Sequence, residues 1–468
     1  MLLGIMVDEI IKQRVGRTPL VRAYNLEKEL NISKIYLKLE GNNPSGHRED
    51  RLAYLIIRDA LSRGKDTICM GTYGTLGGSI SFLADYYDVK CIFYVPNKNK
   101  ILRKNLLLSK NVEIIEFGRT YEHCVRESRR VSEENGWYNA NPGRANNIMN
   151  MYAFSYIADE IQEQLDEVID TIFCQTSNGS SISGLHLGLK QLWINEDIEK
   201  LPQIWAASTS QGNAIIESFD KASDIILDID HKDIYETRYN RNLIARKSFN
   251  GQDALNAIKD TNGRAVGISD EELIRDNRFF KGKEKFIKVS IPNTTPISAF
   301  IKGFNDGNIT NGNHILILNN GMVDLDIRVI EKNDLTLPYR EFLKRLDEWL
   351  IQFSDPIEEI EDAVDDAFNK GFVICAYRGN AIVGIVIVST SRYETFFPKY
   401  HLSYIATKRD IKGMGIATQL MQKVIELTKG DFTLHVETDN RRAIKLYEKM
   451  GLKKKYYRMF YQGGVPDD

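Results

Sequence analysis

Between residues 35 and 318 short apolar runs alternate with stretches of helical periodicity. Residues 35–40, 67–70, 89–95, 112–117, 171–174, 203–207 and 314–318 read as strands, and residues 52–62 carry apolar side chains at helical spacing. Alternation of this kind implies open, largely parallel sheets with helices on both faces, because a parallel strand is reached only through a crossover. Ligands of such sheets sit at the carboxyl ends of the strands, on glycine-rich turns.

The pattern changes after Asn319-Asn320-Gly321. Residues 326–330 open a new unit and two acidic helical segments follow. Residues 372–377 and 381–388 then read as antiparallel strands, with Arg378-Gly379-Asn380 as a tight hairpin. This places a domain boundary near residues 322–325, giving domains 1–324 and 325–468. A net charge of −2 offers no basic field to nucleic acid and no polybasic surface to a membrane. No apolar run reaches the length of a span. The apolar start, residues 1–7, runs into Asp8-Glu9 without a basic leader or small-residue cleavage site, so it does not read as a secretory signal. Cys69, Cys91, Cys124, Cys174 and Cys375 show no paired metal spacing and read as reduced thiols of a cytoplasmic protein; no metal site is expected.

Five motifs stand in order along the first domain: Val15-Gly16-Arg17-Thr18-Pro19-Leu20, Asn43-Pro44-Ser45-Gly46, Thr72-Tyr73-Gly74-Thr75-Leu76-Gly77, Ser177-Asn178-Gly179-Ser180-Ser181, and Asn319-Asn320-Gly321. In that order they resemble the motifs of fold-type II pyridoxal-phosphate enzymes, the cysteine synthase, threonine synthase and tryptophan synthase β family. The resemblance implies an α/β fold, a tryptophan synthase β-like body of two parallel-sheet subdomains, the smaller inserted at about residues 41–145. It also implies a homodimer through this domain. In the family a lysine closes an imine on the cofactor. Here Glu49 stands at that position, bracketed by Pro44-Ser45-Gly46 and Asp50-Arg51, and a carboxylate cannot form an imine. By the same resemblance, Thr75 replaces an asparagine that contacts the cofactor, Tyr73 replaces a serine of the substrate loop, and Asn320 falls where a hydroxyl faces the pyridine nitrogen. Glu49, Thr75 and Asn320 therefore read as degenerate pyridoxal-phosphate positions. The phosphate cup persists: Ser177, Asn178, Gly179, Ser180 and Ser181 still supply backbone N–H groups and hydroxyls to an anion.

In the second domain residues 404–407 read as a strand leading into Lys408-Arg409-Asp410-Ile411-Lys412-Gly413-Met414-Gly415-Ile416-Ala417, and a helix spans residues 418–429. A strand that stops at a glycine-rich turn and opens a helix holds a pyrophosphate, the group coenzyme A carries. Residues 434–440 read as a further strand, followed by Arg441-Arg442-Ala443-Ile444-Lys445-Leu446-Tyr447-Glu448-Lys449-Met450-Gly451. These blocks resemble the GNAT N-acetyltransferase family, with Lys412, Gly413, Gly415 and Ala417 on the pyrophosphate turn. The resemblance implies acetyl-CoA or another acyl-CoA as donor, Asn440 on the pantetheine arm and Tyr447 as acid to the leaving thiolate. Backbone N–H groups near Ala406 and Thr407 would polarise the thioester carbonyl. A base must take a proton from the incoming ammonium. Glu437, at the end of the further strand, and His401, before the central strand, are candidates, with Glu394 a third. Arg392, Tyr393 and residues 396–400 fall by position on the acceptor wall.

The sequence thus reads as a cytoplasmic acyl-CoA-dependent N-acyltransferase for a small amine or amino acid, fused to an enzyme-like body that binds a ligand or serves as scaffold. Two alternatives stand beside it. One is a pyridoxal-phosphate-dependent synthase or lyase with unusual anchoring whose product the second domain acylates. The other is a regulatory scaffold without turnover.

Overall fold

In a computed structural model the described residues are 8, 11–32, 34–97, 109–143, 146–165, 167–323, 325–378, 381–390, 398–409 and 415–455. The chain divides into two compact units, Met1–Asp324 and Leu325–Asp468.

The first unit contains β1 (Leu20–Arg22), β2 (Ile35–Leu39), β3 (Thr67–Gly71), β4 (Lys90–Val95), β5 (Val112–Glu116) and β6 (Tyr138–Asn139). These are followed by β7 (Thr171–Gln175), β8 (Gln203–Thr209), β9 (Arg264–Ile268), β10 (Ile287–Lys288), β11 (His314–Leu318) and β12 (Met322–Val323). The larger sheet has the order β1-β2-β11-β7-β8-β9. It is parallel except for β1, which pairs antiparallel with β2. The smaller sheet, β5-β4-β3-β6, is parallel throughout. β10 and β12 form a short antiparallel pair. Ile315, Leu316, Ile317 and Leu318 are all buried, as expected of a strand covered on both faces. The carboxyl ends of β2, β11 and β7 lie side by side on one edge. That edge brings together the segments after Leu39, Leu318 and Gln175, which are separated by more than a hundred residues of sequence.

Beneath this edge lies a buried group of four charges. Arg51, in the helix Asp50–Ser62, holds Glu40 through two bonds of 2.8 Å. It holds Glu160, in the helix Asn147–Gln164, through bonds of 2.6 and 2.8 Å. Lys38 Nζ donates to Glu160 Oε2 at 2.8 Å and to the Thr18 carbonyl at 2.7 Å. Burial alone would raise the Glu160 carboxyl; Arg51 and Lys38 more than offset that and hold it well below the usual carboxylate range. The group carries two charges of each sign and each is hydrogen-bonded, the condition under which buried ions are tolerated. It joins β2, the two helices and the chain entering β1.

The second unit has one sheet of five strands: β13 (Asp326–Ile330), β14 (Phe372–Arg378), β15 (Ala381–Thr390), β16 (Tyr400–Thr407) and β17 (Phe432–Leu434), in that order. All neighbours are antiparallel except β16 and β17, which are parallel. Arg378 pairs with Ala381 across the expected hairpin, whose Gly379 and Asn380 lie outside the described residues. Both faces of the sheet are covered. Phe342, Leu346, Ile360 and Val364 of the helices Tyr339–Leu350 and Ile357–Lys370 pack on Val373, Cys375, Ile385 and Ile387. Leu420, Met421 and Val424 of the helix Ile416–Thr428 pack on Ile374, Val386, Val388 and Leu402. The register between β15 and β16 shifts between Ile387 and Val388, leaving Ser403 as the extra residue of a bulge. The shift puts Leu402 and Ile405 on one face and Tyr404 and Ala406 on the other.

One expected strand is shorter than the sequence suggests. Residues 434–440 do not extend together; β17 ends at Leu434. Asn440 must turn to cap the next helix, and its N–H bonds the Glu437 carbonyl at 3.0 Å. Glu437 therefore lies in the turn beyond the strand.

Arg51→Ala leaves two buried carboxylates with one cation between them. It is expected to destabilise the first unit by about 3–5 kcal/mol, read from the denaturant midpoint. A loss below about 1 kcal/mol, the scale of an exposed pair, would show that the network does not hold this edge together.

Candidate functional site

In the first unit the helix Ser180–Ile194 starts from Gly179, which has φ +94°. A Cβ at Gly179 would stand 2.4 Å from the Asn250 carbonyl oxygen, so close backbone approach and positive φ both require glycine there. Among the described residues, the N–H groups of Ser180, Ser181 and Ile182 meet no protein acceptor and point out of the helix start. Two of the three expected hydroxyl donors are already engaged: Ser180 Oγ donates to Asn250 Oδ1 at 2.9 Å and Ser181 Oγ to the Gln175 carbonyl at 3.1 Å. The cup therefore relies mainly on backbone N–H groups. The Ser177 carbonyl is fixed by Asn213 Nδ2 and Ser248 Oγ, and the Asn178 carbonyl by the Asn250 N–H.

Glu49 sits at the N-terminal boundary of the helix Asp50–Ser62. Its Oε1 accepts from Arg48 Nη2 at 3.0 Å, and its Oε2 is buried without a partner. Arg48 also donates to the Gln175 carbonyl at 3.3 Å, and its backbone N–H to the Asn319 carbonyl at 3.0 Å. Thr75 opens the helix Thr75–Tyr87, after Gly74 at φ +140°. Tyr73 stacks on Tyr121 with ring centroids 5.5 Å apart, and Tyr121 meets Phe249 edge-on at 6.3 Å. Asn320 differs from expectation. Both ends of its amide are engaged by Ser290, Nδ2 to the hydroxyl at 3.0 Å and Oδ1 from the N–H at 3.3 Å. It latches β11 to the Ser290 turn, and its neighbour Asn319 carries the unpaired buried oxygen instead.

The residues present fit one half of pyridoxal phosphate. The backbone cup suits its phosphate. If Glu49 stands where the resemblance puts it, the aldehyde end would face a carboxylate; Lys38, a buried lysine of this unit, is bound to Glu160, Thr18 and Gln164.

In the second unit β16 pairs with β17 only from Tyr400↔Phe432 to Leu402↔Leu434, whereas β16 runs on to Thr407. From Ser403 onward that edge of β16 has no strand neighbour among the described residues. Lys408 N–H bonds the Val383 carbonyl on β15. By antiparallel alternation Ala406 and Tyr404 also bond β15, so Ile405 and Thr407 direct their backbone groups to the free edge. The Ala406 N–H is thus engaged by β15, whereas the N–H groups of Ile405 and Thr407 face away from it. Beyond the edge, Gly415 at φ +70° caps the helix Ile416–Thr428, with Ala417 in the first turn. The Gln419 Nε2 in that turn is buried without a partner. Lys412, Gly413, Arg392, Tyr393, Glu394, Phe396 and Phe397 lie outside the described residues.

Asn440 caps the helix Arg441–Lys449, its Oδ1 accepting from the Ala443 N–H at 3.2 Å. Tyr447 is 8% exposed, and burial pushes its hydroxyl up to about 12, so it keeps its proton at neutral pH. His401 is pushed down to about 4 by burial and by His435, whose ring lies 4.9 Å away. It is uncharged at neutral pH but too weak a base to be matched to an ammonium. Glu437 is exposed beyond β17. Sequence reasoning missed Thr176, Asn250 and Asn319 in the first unit and Gln419 in the second. Thr176 adjoins the cup and was within reach; Asn250 carries no local signal.

The first unit is thus an α/β body of two largely parallel sheets with open backbone N–H groups at its carboxyl edge, and the second an α/β sheet beside a glycine-capped helix. Residues 11–287 match the pyridoxal-phosphate dependent enzyme family, and the chain belongs to that family. Residues 336–452 match the acetyltransferase (GNAT) family, so the second unit carries a GNAT domain. The chain is 25% identical over 316 residues to a threonine synthase of Methanocaldococcus jannaschii, covering 67% of this chain and 76% of that protein. It is 27% identical over 196 residues to a cysteine synthase of Staphylococcus aureus, covering 40% of this chain and 62% of that protein. Maize serine racemase shares the fold with a TM-score of 0.54 at 19% identity, covering 74% of this chain and 99% of that one. No described helix is long and apolar enough to cross a membrane.

The lowered His401 makes the second unit sensitive to acid. The unfolded chain binds a proton near pH 6.5, whereas the folded chain resists protonation until about 4. Stability therefore falls as pH drops through that window. His401→Gln is expected to flatten the fall in Tm between pH 7 and 5, measured by scanning calorimetry; an unchanged slope would refute the assignment.

Proposed function

We propose that the second unit is an acyl-CoA-dependent N-acyltransferase, transferring acetyl to a small amine or amino acid. We propose that the first unit binds a ligand without an imine. The observation that carries the acyltransferase reading is the free edge of β16, which ends beside the Gly415-capped helix. An extended pantetheine arm can pair along that edge, as a strand would, while the helix start takes the pyrophosphate. Asn440 keeps its amide N–H groups for the arm. The Ile405 and Thr407 N–H groups are the nearest donors to a thioester carbonyl laid on the edge.

The neutral amine attacks that carbonyl, the new C–N bond forms and the C–S bond breaks. Tyr447, protonated at neutral pH, gives its proton to the leaving thiolate and regains one from the nitrogen, which sheds it as the amide forms. The proton lost from the ammonium passes to Glu437 or to water, since His401 is too weakly basic. The resemblance of the first unit to synthases of threonine and cysteine supports an amino acid as the amine.

The chain is assigned to the cytoplasm as a homodimer formed through the first unit. The support for a dimer is an exposed stripe on the helix Asn147–Gln164, where Ile148, Tyr152 and Tyr156 recur every fourth residue. Tyr152→Glu is expected to shift the sedimentation coefficient to that of the monomer; a monomeric wild type would dismiss the stripe as an interface.

Acetyl-CoA consumption against an amine panel tests the central reading. Tyr447→Phe is expected to lower kcat about 10²–10⁴-fold with little change in the KM for acetyl-CoA. No turnover with any amine, from a folded chain that still binds coenzyme A, would leave the regulatory scaffold.

A further inference from the structure

Near the carboxyl edge of the larger sheet several buried polar atoms lack a partner among the described residues, among them Glu49 Oε2, Asn319 Oδ1, Thr176 Oγ1, Asn250 Nδ2 and Arg48 Nε. Three of the residues that carry them are almost completely enclosed, Thr176 and Asn250 at 1% exposure and Asn319 at 4%. Buried polar groups in folded proteins are nearly always hydrogen-bonded, so a cluster left open asks for a missing partner. Thr176 follows β7, Asn319 follows β11, and Glu49 lies beyond β2, on three adjacent strands. Arg48 draws them together, touching Glu49, the Gln175 carbonyl and the Asn319 carbonyl.

The open atoms are largely sorted by polarity. Beside Arg48, whose own Nε is an open donor, the open side-chain oxygens Glu49 Oε2 and Asn319 Oδ1 are acceptors. At the other end, around Gly179, the open groups are donors: Asn250 Nδ2 and the first-turn N–H groups of Ser180, Ser181 and Ile182. A ligand satisfies both ends when it carries an anion at one and a hydrogen-bond donor at the other, and the Glu49 carboxylate favours a cationic donor. Several converging N–H groups match an anion with three oxygens better than one with two. A carboxylate at position 49 welcomes an ammonium and rejects a carbonyl oxygen.

We infer that this site takes a phosphate monoester bearing a primary ammonium, with the phosphate on the Gly179 cup and the ammonium on Glu49. The inference rests on the reading of the first unit as a ligand-binding body and names the chemistry of its ligand. The ester can be the aminated form of the cofactor or an O-phosphorylated amino acid; both carry the same two ends. Binding is non-covalent.

Calorimetry on the full chain tests it with two matched pairs and a control. Pyridoxamine 5′-phosphate is compared with pyridoxine 5′-phosphate, O-phospho-L-serine with its N-acetyl derivative, and inorganic phosphate is titrated alone. In at least one pair the ammonium ester is expected to bind about 10–100-fold tighter than its partner, the range of a charge-assisted hydrogen bond. The pair that shows it identifies the source. Glu49→Gln is expected to erase that ratio while leaving the affinity for inorganic phosphate in place. Should that variant not fold, Glu49→Lys decides the same point by reversing the preference. A ratio near one in both pairs with phosphate still binding, or a ratio that survives substitution of Glu49, would overturn the inference alone. Failure of phosphate and every ester to bind would overturn both the inference and the ligand-binding reading.

Discussion

The first unit depends on Arg51. Its guanidinium bonds two carboxylates from different elements, and Lys38 completes the balance, so four buried charges sum to zero. Without it, Glu40 and Glu160 would repel each other inside a low-dielectric interior. The ion group ties the end of β2 to the start of the helix that Glu49 precedes. Glu49 stands directly beside that helix start.

Much of this architecture is legible in the sequence where burial writes a simple pattern. Residues 314–318 are apolar on both faces and form β11 with the expected ends. The break after Gly321 is likewise visible as a change from strand–helix alternation to hairpins. Legibility falls where the decisive quantity is a direction. Asn319 and Asn320 are indistinguishable as letters, yet Ser290 engages one amide and leaves the other's oxygen open. Ala406 and Thr407 are adjacent, yet only pairing with β15 decides which N–H is free. The residues 434–440 have strand composition, but the need to cap a helix at Asn440 bends them away.

The two units solve opposite recognition problems with similar parts. Each offers a glycine in positive φ at the start of a helix, Gly179 in one and Gly415 in the other. In the first the surroundings are enclosed, with side-chain amides and a carboxylate close by. In the second the helix start adjoins a strand edge unpaired among the described residues. In the functions proposed above, the same backbone device would serve a compact ligand in one and an extended thioester in the other, depending on what lies beside it.

The bulge at Ser403 sets the phase of β16. Upstream of it Leu402 packs under the helix Ile416–Thr428, and downstream Tyr404 and Ala406 pack under the opposite helices. Inserting or deleting one residue between Ser403 and Thr407 would transpose inward and outward amides along the whole free edge. Substitutions that keep the length of this short stretch leave the phase alone, whereas a change of length there rewrites it. Drift by single-residue insertion, harmless in most loops, is thereby closed off for these few positions.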